Sequence, residues 1–358
     1  MLKFMKTIIW SSPICVSIVI AVIFLQETAV YAGTSECETI VIAYGANRQI
    51  SNDICKINPD GSGKVNLTNT PDEDEEEPVI SPDGSRIAFT SSSYSSDGRK
   101  TSLCIMNSDG SDRKTLTSET DATGFTDYEG ADFSADGTSL AFSSHGKECG
   151  VSMVWTIKTD GTGIVKAFDT VFSMGQLCYS GNDKIIYAKS LSAEPAPELR
   201  VGIFIRRITG SESTLTDSTA AGESVETMLT GGTDLSTIYS SPCLSPDGKI
   251  VAFVMRSNKD FKCSIGLIGI NGGSCEVLEL PKPIADAIDS SQSSANKSMI
   301  SDLIARSTLW DLCLSPDGQK LAFNRDGKLC VLELANPSNS KMILDKIGIG
   351  FDWWTIKN

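Results

Sequence analysis

Histidine occurs once in the 358 residues, at His145. A His-ligated metal centre, or a nucleophile activated by an imidazole, would have to draw on that one side chain. In Ser143-Ser144-His145-Gly146 it reads as a loop residue after a strand rather than a general base. There is no C-x-x-C pair, which removes zinc ribbons and thioredoxin-like redox chemistry. No G-x-S-x-G elbow, phosphate loop or G-x-G-x-x-G after a strand occurs, and no carboxylate pair stands out as a glycosidase couple. Basic charge is short: 31 Lys and Arg face 45 Asp and Glu, a formal net charge of −14. Binding nucleic acid requires a basic footprint, so that class of partner is excluded, and a cationic segment or a divalent ion is favoured.

Long apolar runs are absent after residue 25. Before it, Lys3 and Lys6 precede an apolar run from Ile14 to Leu25, followed by the small-residue pattern Val30-Tyr31-Ala32. This is the pattern of a secretory leader cleaved after Ala32, and the run is shorter than the ~18 to 20 residues that span a bilayer. Residues 1–32 are expected to be a leader and 33–358 the exported domain, periplasmic or secreted, with no membrane span. Without the leader the chain carries 29 basic and 44 acidic residues and ten of its eleven cysteines. An even number of cysteines in an exported chain invites disulfides. Yet Cys55, Cys104 and Cys330 share one place in their repeats, and Cys178, Cys243 and Cys313 share another, as small buried hydrophobes would. Both readings stay open.

What the sequence does contain is repetition. Ser81-Pro82-Asp83-Gly84 returns as Ser134-Ala135-Asp136-Gly137, Ser245-Pro246-Asp247-Gly248 and Ser315-Pro316-Asp317-Gly318, each followed by a hydrophobic-Ala-Phe step; Ser180-Gly181-Asn182-Asp183 is a degenerate copy. Proline presets φ, aspartate bonds the backbone ahead, and glycine takes the positive φ that closes a hairpin. A second turn follows, as in Ile57-Asn58-Pro59-Asp60-Gly61 and Met106-Asn107-Ser108-Asp109-Gly110. Two hairpins make a four-stranded unit, and units recurring every ~40 to 50 residues are propeller blades. The first repeat, from Thr39, lacks an innermost strand, and Phe351 to Ile356 read as an innermost strand with nothing after them. The expected fold is all-β: a six-bladed propeller of four-stranded antiparallel blades, closed by the C-terminal strand pairing into the N-terminal blade. The blades are expected at 39–70 with 351–357, then 78–120, 130–170, 174–230, 240–280 and 310–345.

The phrase Ser-Pro-Asp-Gly-x-x-Ile-Ala-Phe, then Ile-x-x-x-Asp-Gly, then Leu-Thr, resembles the TolB-type, WD40-like propeller repeat, and the likeness covers nearly all of residues 33–358. The small N-terminal α/β domain of TolB itself has no counterpart expected between Ala32 and Ile40. The resemblance implies a non-catalytic module that binds a protein or peptide in the envelope. Two other functions compete: a polysaccharide lyase or sugar-acting hydrolase using channel carboxylates or a metal, and an envelope assembly scaffold.

Binding is expected on loops at the propeller mouth. One is Pro71 to Pro78, whose six consecutive acids are Asp72, Glu73, Asp74, Glu75, Glu76 and Glu77; another runs from Asp121 to Glu129 and holds Phe125, Asp127 and Tyr128. Acids beside aromatics suit a basic or extended partner, although a charge run is more often a solvated loop. No cofactor is expected. Calcium remains a secondary possibility, because the run lacks the alternating acids and turn glycine of an EF-hand loop. Two Ser/Thr-rich insertions, 209–227 and 282–307, name no ligand.

Overall fold

The computed structural model describes residues 36–44, 51–96, 98–117, 128–145, 151–171, 176–191, 201–208, 226–230, 236–260, 262–278, 280, 309–345 and 347–357. The expected leader and nearly all of both insertions lie outside the described residues. Everything below concerns the compact unit Glu38–Ile356.

Among the described residues there are strands and turns and no helix. The first three strands are β1 (Glu36–Tyr44), β2 (Asp53–Ile57) and β3 (Val65–Asn66). Then come β4 (Asp74–Ile80), β5 (Arg86–Ser95), β6 (Gly98–Asn107) and β7 (Lys114–Thr115), followed by β8 (Tyr128–Phe133), β9 (Ser139–His145), β10 (Val151–Lys158) and β11 (Val165–Val171). Next are β12 (Cys178–Ser180), β13 (Lys184–Ser190), β14 (Val201–Arg207) and β15 (Glu226–Met228), then β16 (Thr237–Leu244), β17 (Ile250–Ser257), β18 (Cys263–Gly269) and β19 (Glu276–Leu278). The chain ends with β20 (Leu309–Leu314), β21 (Lys320–Arg325), β22 (Lys328–Glu333), β23 (Asn336–Asp345) and β24 (Ile347–Lys357).

These form antiparallel four-stranded sheets: β4 to β7, β8 to β11, β20 to β23, and β24-β1-β2-β3. The groups β12 to β15 and β16 to β19 are joined into one eight-stranded sheet by a single parallel bridge, Val201 to Ile238. The C-terminal strand therefore lies beside β1, where the first repeat lacked a strand. His145 is the last residue of β9, paired with Ser152, and not a loop residue as expected.

The repeated turn works through its serine. Ser81 Oγ donates to Asp83 Oδ1 at 2.6 Å and accepts the Arg86 amide at 2.9 Å, while the Ser85 amide donates to Asp83 Oδ1 at 3.0 Å. Gly84 closes the turn at φ +72°, where a side chain would be strained. Ser134 with Asp136, Ser245 with Asp247, and Ser315 with Asp317 repeat the serine-to-aspartate bond. These aspartates are held below the usual carboxylate range by such bonds, strongest at Asp247, lowered to about 2. They are consumed by turns, as the sequence implied.

After each turn the hydrophobic-Ala-Phe step is buried on both faces. Ile87 and Phe89 join a cluster with Val41 and Ile54 of the preceding sheet, while Ala88 joins one with Leu140 and Phe142 of the following sheet. A strand alternates its faces, so each second strand packs against both neighbours. Each buried phenylalanine contributes roughly 1.5–3 kcal/mol. Cys55 and Cys104 sit in these inter-sheet clusters and Cys330 packs against one, as small apolar side chains would.

The candidate binding mouth and the axial cavity

The acidic run is not a loop between prolines. From Asp74 onward it is strand β4, and the second blade begins four residues earlier than expected. The reason lies in its pairing: Asp74, Glu75 and Glu76 oppose Ser92, Ser91 and Thr90, and the register then shifts at a bulge between Glu76 and Val79. Pro78, which has no amide to donate, falls within that bulge.

Most of the acids are engaged inside the fold. Asp72 is exposed. Glu73 accepts hydrogen bonds from Ser91 at 2.7 Å and from Arg113. Asp74 accepts the Asn52 amide at 2.9 Å. Glu75 is fully buried, takes Thr70 Oγ1 at 2.7 Å and pairs with Arg113 Nη1 at 2.8 Å; its Oε2 has no partner. Burial pushes its carboxyl up. Glu76 reaches Asn52 Nδ2 at 3.3 Å and Arg99 at 3.5 Å. Its carboxyl is pushed up to about 7 by burial, then by the charge of Asp74. Glu77 has φ +53°, and its Oε2 accepts the Gly130 amide of the next sheet at 2.7 Å. Burial raises it to about 8, with further contributions from Glu129, Asp311 and Glu76.

Of the second expected group, Asp121, Phe125 and Asp127 lie outside the described residues. Tyr128 is 3% exposed, its ring edge-on to Phe142 at 5.6 Å. Glu129 is half-buried and follows it on β8, where its charge reaches both Glu76 and Glu77. The structure thus brings the end of the second group against the end of the first.

Beyond this mouth runs a cavity of about 400 Å³, lined by the first strand of every repeat and by β24. In each strand the residue two before the turn serine, or its equivalent on β24, faces the cavity: Val79, Asp132, Cys178, Cys243, Cys313 and Asp352. Three of these catch the next strand's amide. Asp352 Oδ2 accepts Ile80 N–H at 2.7 Å, Asp132 Oδ2 accepts Tyr179 N–H at 2.7 Å, and Cys313 Sγ accepts Trp353 N–H at 3.2 Å. A second tier lies two residues earlier, where Glu77 holds Gly130 and Asp311 Oδ2 accepts the Gly350 amide at 3.0 Å. Burial raises Asp132 to about 7 and Asp311 to about 6, and also raises Asp352.

Sequence reasoning missed Asp132, Asp311 and Asp352. The signal was available: Asp132 and Asp352 occupy the slot already noticed for Cys178, Cys243 and Cys313. That slot is axial and polar in its bonding. Among the described residues, no group of three or more His, Cys, Asp or Glu side chains is arranged to hold a metal ion.

No protein-family model matches the sequence, and no curated protein matches it. Solved structures do. TolB from Acinetobacter baumannii superposes with a TM-score of 0.59 at 15% identity, covering 92% of this chain and 69% of that one. A chain of a nidogen/laminin complex gives 0.60 at 10% identity, covering 88% and 98%. An oligogalacturonate lyase from Vibrio parahaemolyticus gives 0.51 at 10% identity, covering 85% and 79%. A TolB, a chain of a nidogen/laminin complex and a lyase share the fold at these identities, so the fold alone does not choose a function. By its repeated turns, its antiparallel four-stranded sheets and these likenesses, the chain has a β-propeller fold similar to that of TolB.

Proposed function

We propose that the protein is an exported, non-catalytic propeller, six-bladed and shut by β24 on β1, which holds a basic, extended segment of a protein partner in the cell envelope. One observation supports this reading above the others. Glu76 and Glu77 from β4, and Glu129 from β8, crowd at one place within electrostatic reach of each other, and Asp311 adds to the field at Glu77. Arg99 is the cation acting on Glu76 there. A lysine or arginine from a partner would relieve that repulsion, and the net charge of −14 would steer it in.

The test compares the wild-type protein with an Asp74→Asn/Glu76→Gln/Glu129→Gln variant as immobilised bait in envelope extract. Amides keep the volume and an acceptor oxygen, so the fold is expected to persist, checked by circular dichroism. Proteins retained by wild type, released by rising salt and absent from the variant support the reading. Equal retention by both baits overturns it. If neither bait retains protein and both bind acidic oligosaccharides, the carbohydrate-acting reading takes its place.

A further inference from the structure

The axial cavity concentrates negative charge. Its described lining holds three carboxylates, Asp132, Asp247 and Asp352, and no lysine, arginine or histidine. Asp247 belongs to a turn and pairs with Lys249 at 3.1 Å. Asp132 takes the amides of Tyr179 at 2.7 Å and Phe133 at 2.8 Å; Asp352 takes those of Ile80 at 2.7 Å and Trp353 at 2.8 Å, and the Cys313 thiol at 3.1 Å. None of these partners is a cation. A carboxylate accepts about four hydrogen bonds, so both keep acceptor capacity. Both also stay partly exposed, whereas Ala131, Phe133, Phe351 and Trp353 beside them are buried. Strand β4 lies between the two, bonded to β24 through Ile80 and to β8 through Glu77. Its residue at their level is Val79, so the carboxylates flank an apolar gap. At the turn end Ala135, Gly181, Pro246 and Asp247 line the cavity and are exposed, which opens it to solvent there. The mouth acids Glu76, Glu77 and Glu129 do not line it.

We propose that the axial cavity binds a small aliphatic amine, with its ammonium at Asp132 and Asp352 over Val79 and its alkyl body along the apolar wall toward the turns. An ammonium offers three donors, enough to reach both carboxylates with charge-assisted bonds. Carboxylates shut in a low-dielectric wall without a cation are costly, and burial already raises Asp132 to about 7 and raises Asp352 as well. A bound ammonium removes that cost. The alkyl body meets side chains such as Val79, Pro82, Pro242 and Leu244, and a cavity of about 400 Å³ is within the range of small-molecule sites, about 300–1,000 Å³. A calcium ion, which takes about six to eight oxygens, is a poor match: the remaining residues at that level are Val79 and the thiols Cys178, Cys243 and Cys313. An organic acid would be repelled by the same pair. The site lies at the other end of the axial strands from the acidic mouth and does not depend on the partner proposed there.

The experiment titrates the purified protein calorimetrically with n-hexylamine, and with 1-hexanol and hexanoate as neutral and anionic counterparts. The amine should bind one to one, and the other two at least on the order of tenfold more weakly. Asp132→Asn/Asp352→Asn keeps oxygens for the backbone amides and should lose the amine by a similar factor. The mouth variant Asp74→Asn/Glu76→Gln/Glu129→Gln should bind it as wild type does. A second measurement uses wild type alone, so it decides even if the wall variant fails to fold. Cys243 lines the cavity and is partly exposed, whereas Cys275 is exposed and does not line it. Hexylamine should slow alkylation of Cys243 by iodoacetamide, read by peptide mass spectrometry, and leave Cys275 unchanged. Four results overturn the assignment: no binding of the amine, hexanol bound as tightly as the amine, amine binding lost in the mouth variant but kept in the wall variant, or no protection of Cys243 at saturating amine. Tighter binding of the peptide acetyl-Gly-Lys-Gly-amide than of hexylamine would overturn it too, giving the site to a protein's lysine in place of a free amine.

Discussion

The carboxyl oxygen Oδ2 of Asp352 accepts the amide proton of Ile80 at 2.7 Å across 272 residues of chain. Oδ1 of the same group takes the amide of Trp353 at 2.8 Å and the thiol of Cys313. One side chain on β24 therefore ties the last strand to β4 on one side and to β20 on the other. Asp352→Leu leaves the Ile80 amide without an acceptor and is expected to cost about 1–3 kcal/mol. Asp352→Asn, which keeps an acceptor oxygen, should cost less. Urea midpoints of the two variants check the order.

Glu77 and Asp132 make stability depend on pH. Their carboxyls stand at about 8 and about 7 in the fold, against about 4 in an unfolded chain. The folded state therefore binds their protons more tightly. Their contribution is complete below about pH 4 and is lost as pH rises through 7 and 8. The turn aspartates shifted the other way, such as Asp247 at about 2, lose their contribution only below about pH 4 and do not blur a comparison of pH 5 with pH 8.5. Wild type should be less stable at pH 8.5. Glu77→Gln, which can still accept from Gly130, should lose less stability than wild type between pH 5 and pH 8.5.

Gly350 has φ +84°, and a Cβ placed on it would lie 2.4 Å from Glu77 Cα. The clash is with backbone, which has no rotamer to move. Gly350→Ala should lower the thermal midpoint and weaken the latch from Asp311, with a loss of about 1–3 kcal/mol or more. Gly248, also at positive φ but with nothing near its Cβ position, is the control. Gly248→Ala should pay only the backbone term.

Arg113 lies 2.8 Å from the buried Glu75 and stacks over Phe89 at 5.3 Å. Arg113→Met strands a carboxylate in the core and should cost about 3–5 kcal/mol. Adding Glu75→Gln should restore part of that loss, because an uncharged amide no longer needs the guanidinium. A double-mutant cycle by chemical denaturation measures the coupling. Losses that simply add would show that the pair does not interact.

The turns and the alternation around Ala88, Ala141, Ala252 and Ala322 were legible because they are local: a tetrapeptide fixes the hairpin, and a period of two fixes the buried faces. The vacancy in the first repeat, filled by β24, was legible for the same reason. The acidic run was not. A polar composition suggests a loop, but Glu75 is accommodated by Arg113, 38 positions away, a tertiary contact that no local pattern announces. The axial slot was half visible. Three cysteines in register showed that a shared place existed. Which way that place faces depends on bulges, such as those between Glu76 and Val79 and between Glu129 and Asp132. A bulge reverses the alternation, so Asp132 turns inward where simple counting gives no reason to expect it.

The pairing of β24 with β1 has a consequence for the order of folding. The first sheet cannot be completed until the eleven residues of β24 have arrived, and that contact closes a loop running from β1 to the last strand. Until then β1 presents an open edge able to pair with any extended chain. A chain synthesised from its N-terminus would thus leave its first sheet incomplete until β24 had emerged. A protein truncated before Ile347 should be lost to aggregation rather than accumulate as a smaller stable domain.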